Sequence, residues 1–300
     1  MIFELESIGG PFGKRLGKRR APFDALDWSE AIDAPPDALA AARVVWTQSA
    51  FSEYASAAAF AEISAALLAA AAPLDLVAAA GDFVMEETVH CEISARLAMR
   101  CGGAIPLEVD LTKLVRPPRS SKPLMRAAEL LVRTSCVGEA LTLPLLKASQ
   151  RACESPLVSS VIGLIAADES AHAELGPWFL DWAAESLTEE DRAELGVLAG
   201  DAIRAFCQRI GVSKSLSIVE IALFEYHIRE DLSPRSPRTR RKNPAFEGET
   251  KRTTSLSPAS TGRRADCSSA IGRASPRPGS SENSEIREPT RRVAAPSVPA

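Results

Sequence analysis

Glu-x-x-His occurs twice in this chain, as Glu87-Thr88-Val89-His90 and as Glu169-Ser170-Ala171-His172. On an α-helix, residues three apart share a face, so each copy presents a carboxylate and an imidazole together. The surroundings repeat as well. Pro73 stands 14 residues before Glu87, and Pro156 stands 13 before Glu169. Upstream of those prolines come two lone glutamates, Glu53 at 20 residues before Pro73 and Glu139 at 17 before Pro156. With a rise of about 1.5 Å per residue, each helical hairpin brings its lone Glu and its Glu-x-x-His to comparable heights. One Glu from each of two helices plus Glu-x-x-His from each of two others is the inward ligand set of a dimetal carboxylate site in a helix bundle. The bland alternative is a pair of exposed i,i+3 contacts worth a few tenths of a kcal/mol. Val84, Val89, Leu164 and Ile165 flank the motifs and would then sit beside solvated charges, which argues against it.

Prolines and glycines divide the chain. Gly9-Gly10-Pro11, Pro22 and Pro35-Pro36 predict an irregular lead-in over 1–36. A first long helix is expected from about Asp37 to Ala71, with apolar residues at helical spacing through Val45, Phe51, Ala58, Ile63 and Leu67. Pro73 turns the chain into a second helix, from about Leu74 to Cys101, which Gly102-Gly103 stops. The stretch 104–122 is too long for a tight turn between adjacent antiparallel helices and fits a crossover along a bundle. A third helix follows, from about Pro123 to Cys153, and a fourth from about Leu157 to Ala184. Ser186-Leu187-Thr188-Glu189 caps a further helix to about Ile210, and 214–230 reads as a last amphipathic segment. The expected architecture is all-α: a helical domain over 37–232 made of a four-helix bundle with one long crossover and extra C-terminal helices.

Residues 233–300 change character. They hold 14 Lys/Arg against 6 Asp/Glu, a net of +8, so the remainder must be −12 to give the total of −4. Phe246 is the one aromatic residue there. Such a segment buries too little apolar surface to offset its ordering entropy, so a disordered basic tail is expected. Its arginines favour a solvated linker over a nucleic-acid contact. The alanine-rich run 55–72 contains Glu62 and ends at Pro73, which argues against a membrane span. Six cysteines form no CxxC pair, which excludes a zinc ribbon and fits a reducing cytoplasm.

The expected ligands are Glu53, Glu87, His90, Glu139, Glu169 and His172. Glu62 competes with Glu53 and Glu129 with Glu139. Hairpin height favours Glu53, and the uncharged run Cys136 to Leu146 favours Glu139. Four carboxylates balance two divalent cations, and oxygen and nitrogen donors suit iron or manganese. Glu87 and Glu169 are the expected bridges, with Glu53 and Glu139 terminal. Asp82 and Asp168 are candidates for orienting the histidines but are more simply solvated residues. Tyr54 and Cys91, each beside a ligand, are read as packing residues, and His227 as a surface residue.

SEYASAAAF, EETVH, VGEAL and DESAH together resemble the ferritin-like superfamily, over about residues 40–185. The nearest likeness is to bacterial ferritin-like-domain proteins. Glu86-Glu87 stands where Asp-Glu is common in that group, and no rubrerythrin-type iron–thiolate module is present. The resemblance implies two iron ions, with a manganese or mixed iron/manganese pair as variants. It implies dioxygen or peroxide as reactant, an electron donor and a fold that tolerates a homodimer. The expected activity is an oxidase or oxygenase acting on a small organic substrate. Iron handling by ferroxidase or peroxide-scavenging chemistry is the second reading, and a non-catalytic helical interaction module with a vestigial site is the third.

Overall fold

The computed structural model describes residues 1–209. Among them the secondary structure is helical, with one isolated backbone bridge, Ile2 to Glu108, and no strand. The helices are α1 (Gly10–Asp24), α2 (Pro36–Ala69), α3 (Leu74–Arg100), α4 (Pro123–Leu131), α5 (Ala140–Ala152), α6 (Pro156–Ala183) and α7 (Glu189–Arg209). The expected segment 214–230, the basic tail, His227 and the C-terminal end of the 37–232 domain lie outside the described residues. No helix among the described residues is long and apolar enough to cross a membrane.

Local chemistry sets the helix ends. Prolines open α2, α4 and α6 in the first turn, where a missing N–H costs no helical bond. Ser155 adds a side-chain cap to α6, and Thr188 and Asp191 cap α7 reciprocally. At the end of α2 the amide of Ala72 bonds back to Leu67 and that of Ala71 to Leu68. Ala71 takes φ 52 to do so, a left-handed position usually given to glycine. Gly102, at φ 111, plays the same part after α3.

Two stretches differ from the sequence expectation. The lead-in is not irregular, because α1 occupies 10–24. Pro11 lies in its first turn, where it is tolerated, and Pro22 in its last, where the missing N–H forfeits a single bond. Tertiary contacts hold the helix. Arg19 pairs with Asp82 and Glu86, Arg20 with Glu92, and Asp24 with Arg96, all on α3. Exposed ion pairs contribute at most about 1 kcal/mol each, whereas burying Phe23 contributes about 1.5–3 kcal/mol. Phe23 is therefore the anchor, and the charges orient α1. The third expected helix is continuous from 123 to 152 but not uniform, since Val132–Glu139 adopts π geometry between α4 and α5. That geometry is rare and concentrates at functional sites.

α2 packs along α3, the π segment and α5 pack along α6, and α3 contacts α6. The 104–122 crossover links the two hairpins. Its start pairs with residues 1–3, and its end is held by the buried Glu129, which accepts from the amides of Arg119 and Ser120. Apolar residues form two clusters. Phe60, Ile63, Leu67, Phe83, Leu175 and Phe179 belong to one, and Phe23, Val89, Ile93, Leu97, Val161 and Ile165 to the other. On both α3 and α6, the Glu-x-x-His motif falls between the two clusters. Among the described residues the two motifs thus form a charged layer between two apolar clusters.

Candidate metal centre

Four elements deliver side chains to that layer. α2 supplies Glu53, α3 supplies Glu87 and His90, the end of the π segment supplies Glu139, and α6 supplies Glu169 and His172. Glu87, His90, Glu139, Glu169 and His172 are buried. One atom each from Glu53, Glu87, His90 and Glu169 lie within 4.8 Å of one another. Glu139 lies close enough to Glu169, Glu87 and His172 to feel their charges. The structure therefore brings all six expected residues together. The two competing glutamates lie elsewhere. Glu62 is exposed, and Glu129 spends its carboxylate on the crossover amides.

The centre has an approximate two-fold arrangement. Nδ1 of His90 lies 3.2 Å from Glu169 Oε1 and 3.8 Å from Glu87 Oε2. Nδ1 of His172 lies 3.0 Å from Glu87 Oε1 and 2.9 Å from Glu169 Oε2. Glu87 and Glu169 thus each offer one oxygen toward each imidazole. The two rings are 6.1 Å apart between centroids. Their outer nitrogens are held by carboxylates that cross between helices: His90 Nε2 by Asp168 at 3.1 Å, His172 Nε2 by Glu86 at 3.0 Å. A carboxylate partner keeps the proton on Nε2, so that Nδ1 can give up its own proton and turn a lone pair to a bound ion.

Glu86 is not among the expected residues, whereas Asp168 is one of the two candidates for orienting a histidine and reaches His90. Asp82, the other candidate, pairs with Arg19 and reaches neither histidine. The missed signal was an acid immediately before the glutamate in both motifs, Glu86-Glu87 and Asp168-Glu169. A sequence neighbour is rotated about 100° around the helix, enough to leave the ligand face and meet the opposite histidine. Glu86→Ala and Asp168→Ala should each weaken Mn(II) or Co(II) binding about 10–100-fold. Asp82→Ala should leave it unchanged. A competition titration reads both, and an unaffected Glu86→Ala/Asp168→Ala double variant would remove these carboxylates from the site.

Protons are tightly distributed in this layer. Burial, reinforced by the charges of Glu87 and Glu169, raises Glu53 and Glu139 well above the usual carboxylate range. Burial also opposes charge on both histidines, but their carboxylate partners outweigh it. His90 is raised well above its ordinary value and His172 to about 12. Burial pushes Glu169 upward too, yet its hydrogen bond with His172 and the close approach of His90 prevail and bring it down to about 2. The layer is built to hold positive charge. Protons supply it on the imidazoles, and divalent cations can replace them by displacing those protons.

Hydrogen bonding points the same way. Both carboxylate oxygens of Glu87 and Nδ1 of His90 are buried without a hydrogen-bond partner. His172 approaches Glu87 within ion-pair distance but outside hydrogen-bond geometry. Unsatisfied buried polar atoms cost about 1–3 kcal/mol each, so a cluster of them aimed at one point fits an ion. Among the described residues this Glu/His group can hold a metal ion.

The walls are apolar. Phe60 and Phe83 set ring centroids 5.1 and 4.2 Å from His172, and Phe23 lies 6.1 Å from His90. Tyr54 is 37 % exposed, and its ring meets that of Phe3 in an edge-type contact, as a packing residue. Cys91 is buried, and burial first, then the charge of Glu53, pushes its thiol to about 12. It is a packing residue, as its sequence context suggested.

No protein-family model matches the chain, and no curated protein or solved structure matches it.

Proposed function

We propose that this protein is a di-iron carboxylate oxidoreductase of the ferritin-like type, an oxidase or oxygenase that uses dioxygen on a small organic substrate. The observation that carries the reading is the pair of inward Nδ1 atoms sharing Glu87 and Glu169, with both Nε2 atoms anchored by Asp168 and Glu86. His90 with Glu53 would hold one iron, and His172 with Glu139 the other, Glu87 and Glu169 lying between them. When bound, two ferrous ions supply the electrons that reduce dioxygen.

The chain's own residues supply the rest. Glu86 and Asp168 keep the imidazoles in one tautomer and one orientation. Phe23, Phe60 and Phe83 exclude water from the histidines and lower the local dielectric, which strengthens every charge interaction inside. Asp168 is 37 % exposed, so one carboxylate separates His90 from solvent. The five cysteines among the described residues are free thiols, consistent with a cytoplasmic protein.

That exposed carboxylate also favours a second reading, iron handling, because it offers a hydrated ferrous ion a first contact beside His90. Anaerobic addition of ferrous ion followed by air separates the two. The oxidase reading expects a new near-ultraviolet or visible absorption that saturates at about two irons per chain. Continued oxidation of many added equivalents would favour iron handling, and no spectral change would count against both.

A further inference from the structure

The π segment touches α6 at one unusual point. Ser135 is buried, and its hydroxyl donates to the His172 carbonyl at 2.5 Å while accepting from the Gly176 amide at 2.7 Å. Those two backbone groups are four residues apart, the pair that a regular α-helix joins to each other. A buried serine on a helix ordinarily satisfies itself on the carbonyl four residues back along its own chain. Ser135 instead spends its hydroxyl on the neighbouring helix, at both ends of the one turn that begins at a proposed ligand.

The surrounding sequence makes room for this contact. A Cβ at Gly176 would fall 2.4 Å from Cys136 Sγ and 3.1 Å from Ser135 Cβ, so only glycine permits the approach. Pro177 follows inside α6 and has no amide to offer the carbonyl of Ala173. The turn from His172 to Pro177 is therefore weak in backbone bonds and depends on outside support. The same π segment ends at Glu139, the other terminal residue on this side of the centre.

We propose that Ser135 is a positioning residue: by bridging His172 and Gly176 it sets the height of the His172 imidazole relative to Glu139, and so controls the affinity of that half of the metal centre. This rests on the di-iron reading above. It goes beyond that reading because Ser135 touches neither metal nor substrate, and it makes the two halves of a near-symmetric centre unequal. The corresponding His90 carbonyl has no such hydroxyl among the described contacts.

Stepwise Co(II) binding to wild type, Ser135→Ala and His172→Ala tests it, with hydrogen exchange at the Gly176 amide as a second readout. Ser135→Ala should lose about tenfold or more in the binding step that His172→Ala abolishes, and retain the other. Its Gly176 amide should exchange about tenfold faster, while amides near His90 stay unchanged. If Ser135→Ala does not fold, Ser135→Cys keeps the shape with a weak donor and should show the same selective loss. Unchanged binding, or equal loss in both steps alongside a general fall in stability, overturns the positioning role. A wild-type chain that binds neither ion overturns the metal centre, and this role with it.

Discussion

Protein purified after iron-supplemented expression should carry about two irons per chain by elemental analysis, and the Glu87→Ala/His172→Ala variant should carry none. The variant removes one of the two carboxylates placed between the histidines and one of the two inward Nδ1 donors. Glu87 is chosen because both its oxygens are buried and unpartnered, so its replacement has little else to disturb. Glu87 and His172 form a buried ion pair, and removing both together leaves neither as the other's uncompensated charge, so the variant is expected to fold. Loss of metal with an unchanged far-ultraviolet spectrum places the ions at this layer. Absence of metal from both folded proteins would leave the non-catalytic helical module as the better reading.

Metal should also raise the melting temperature by roughly 10–20 °C, and a chelator should reverse the change. The size follows from linkage. An ion that binds only the native state at a hundred times its Kd stabilises by about 2.7 kcal/mol, so two ions add about 5 kcal/mol. For a folded part of about 200 residues, each kcal/mol moves the midpoint about 2–4 °C. The physical source is the charged layer between the two apolar clusters. It holds four glutamates in a region where uncompensated charge is costly, and only protons compensate it when metal is absent. A midpoint unchanged by saturating iron or manganese would mean that the layer is satisfied by protons alone.

Much of this arrangement was legible in the residues. Pro73 and Pro156 turn the chain, Gly102 ends α3, and Thr188 with Asp191 starts α7, because these residues act on the backbone within one turn of themselves. The six candidate ligands were legible for a related reason. Helical periodicity converts a spacing of three into a shared face, and a proline hairpin converts equal distances into equal heights.

What escaped was non-local. α1 contains two prolines and a dense basic run, and its internal Arg20–Asp24 pair adds only a few tenths of a kcal/mol. It forms because Asp82, Glu86 and Glu92 of α3 receive its arginines and because Phe23 finds a pocket beside His90. Glu86 and Asp168 serve the histidine of the opposite helix, and sequence distance says nothing about which helices face each other. The π geometry of 132–139 and the reach of Ser135 across Gly176 likewise depend on how closely two backbones approach. The residues by themselves determined where helices begin and end and which carboxylates and imidazoles share a face, because those follow from bonds and rotations within a few residues. Only the tertiary structure decided which acid steadies which imidazole, since that depends on distances between chain segments about eighty residues apart.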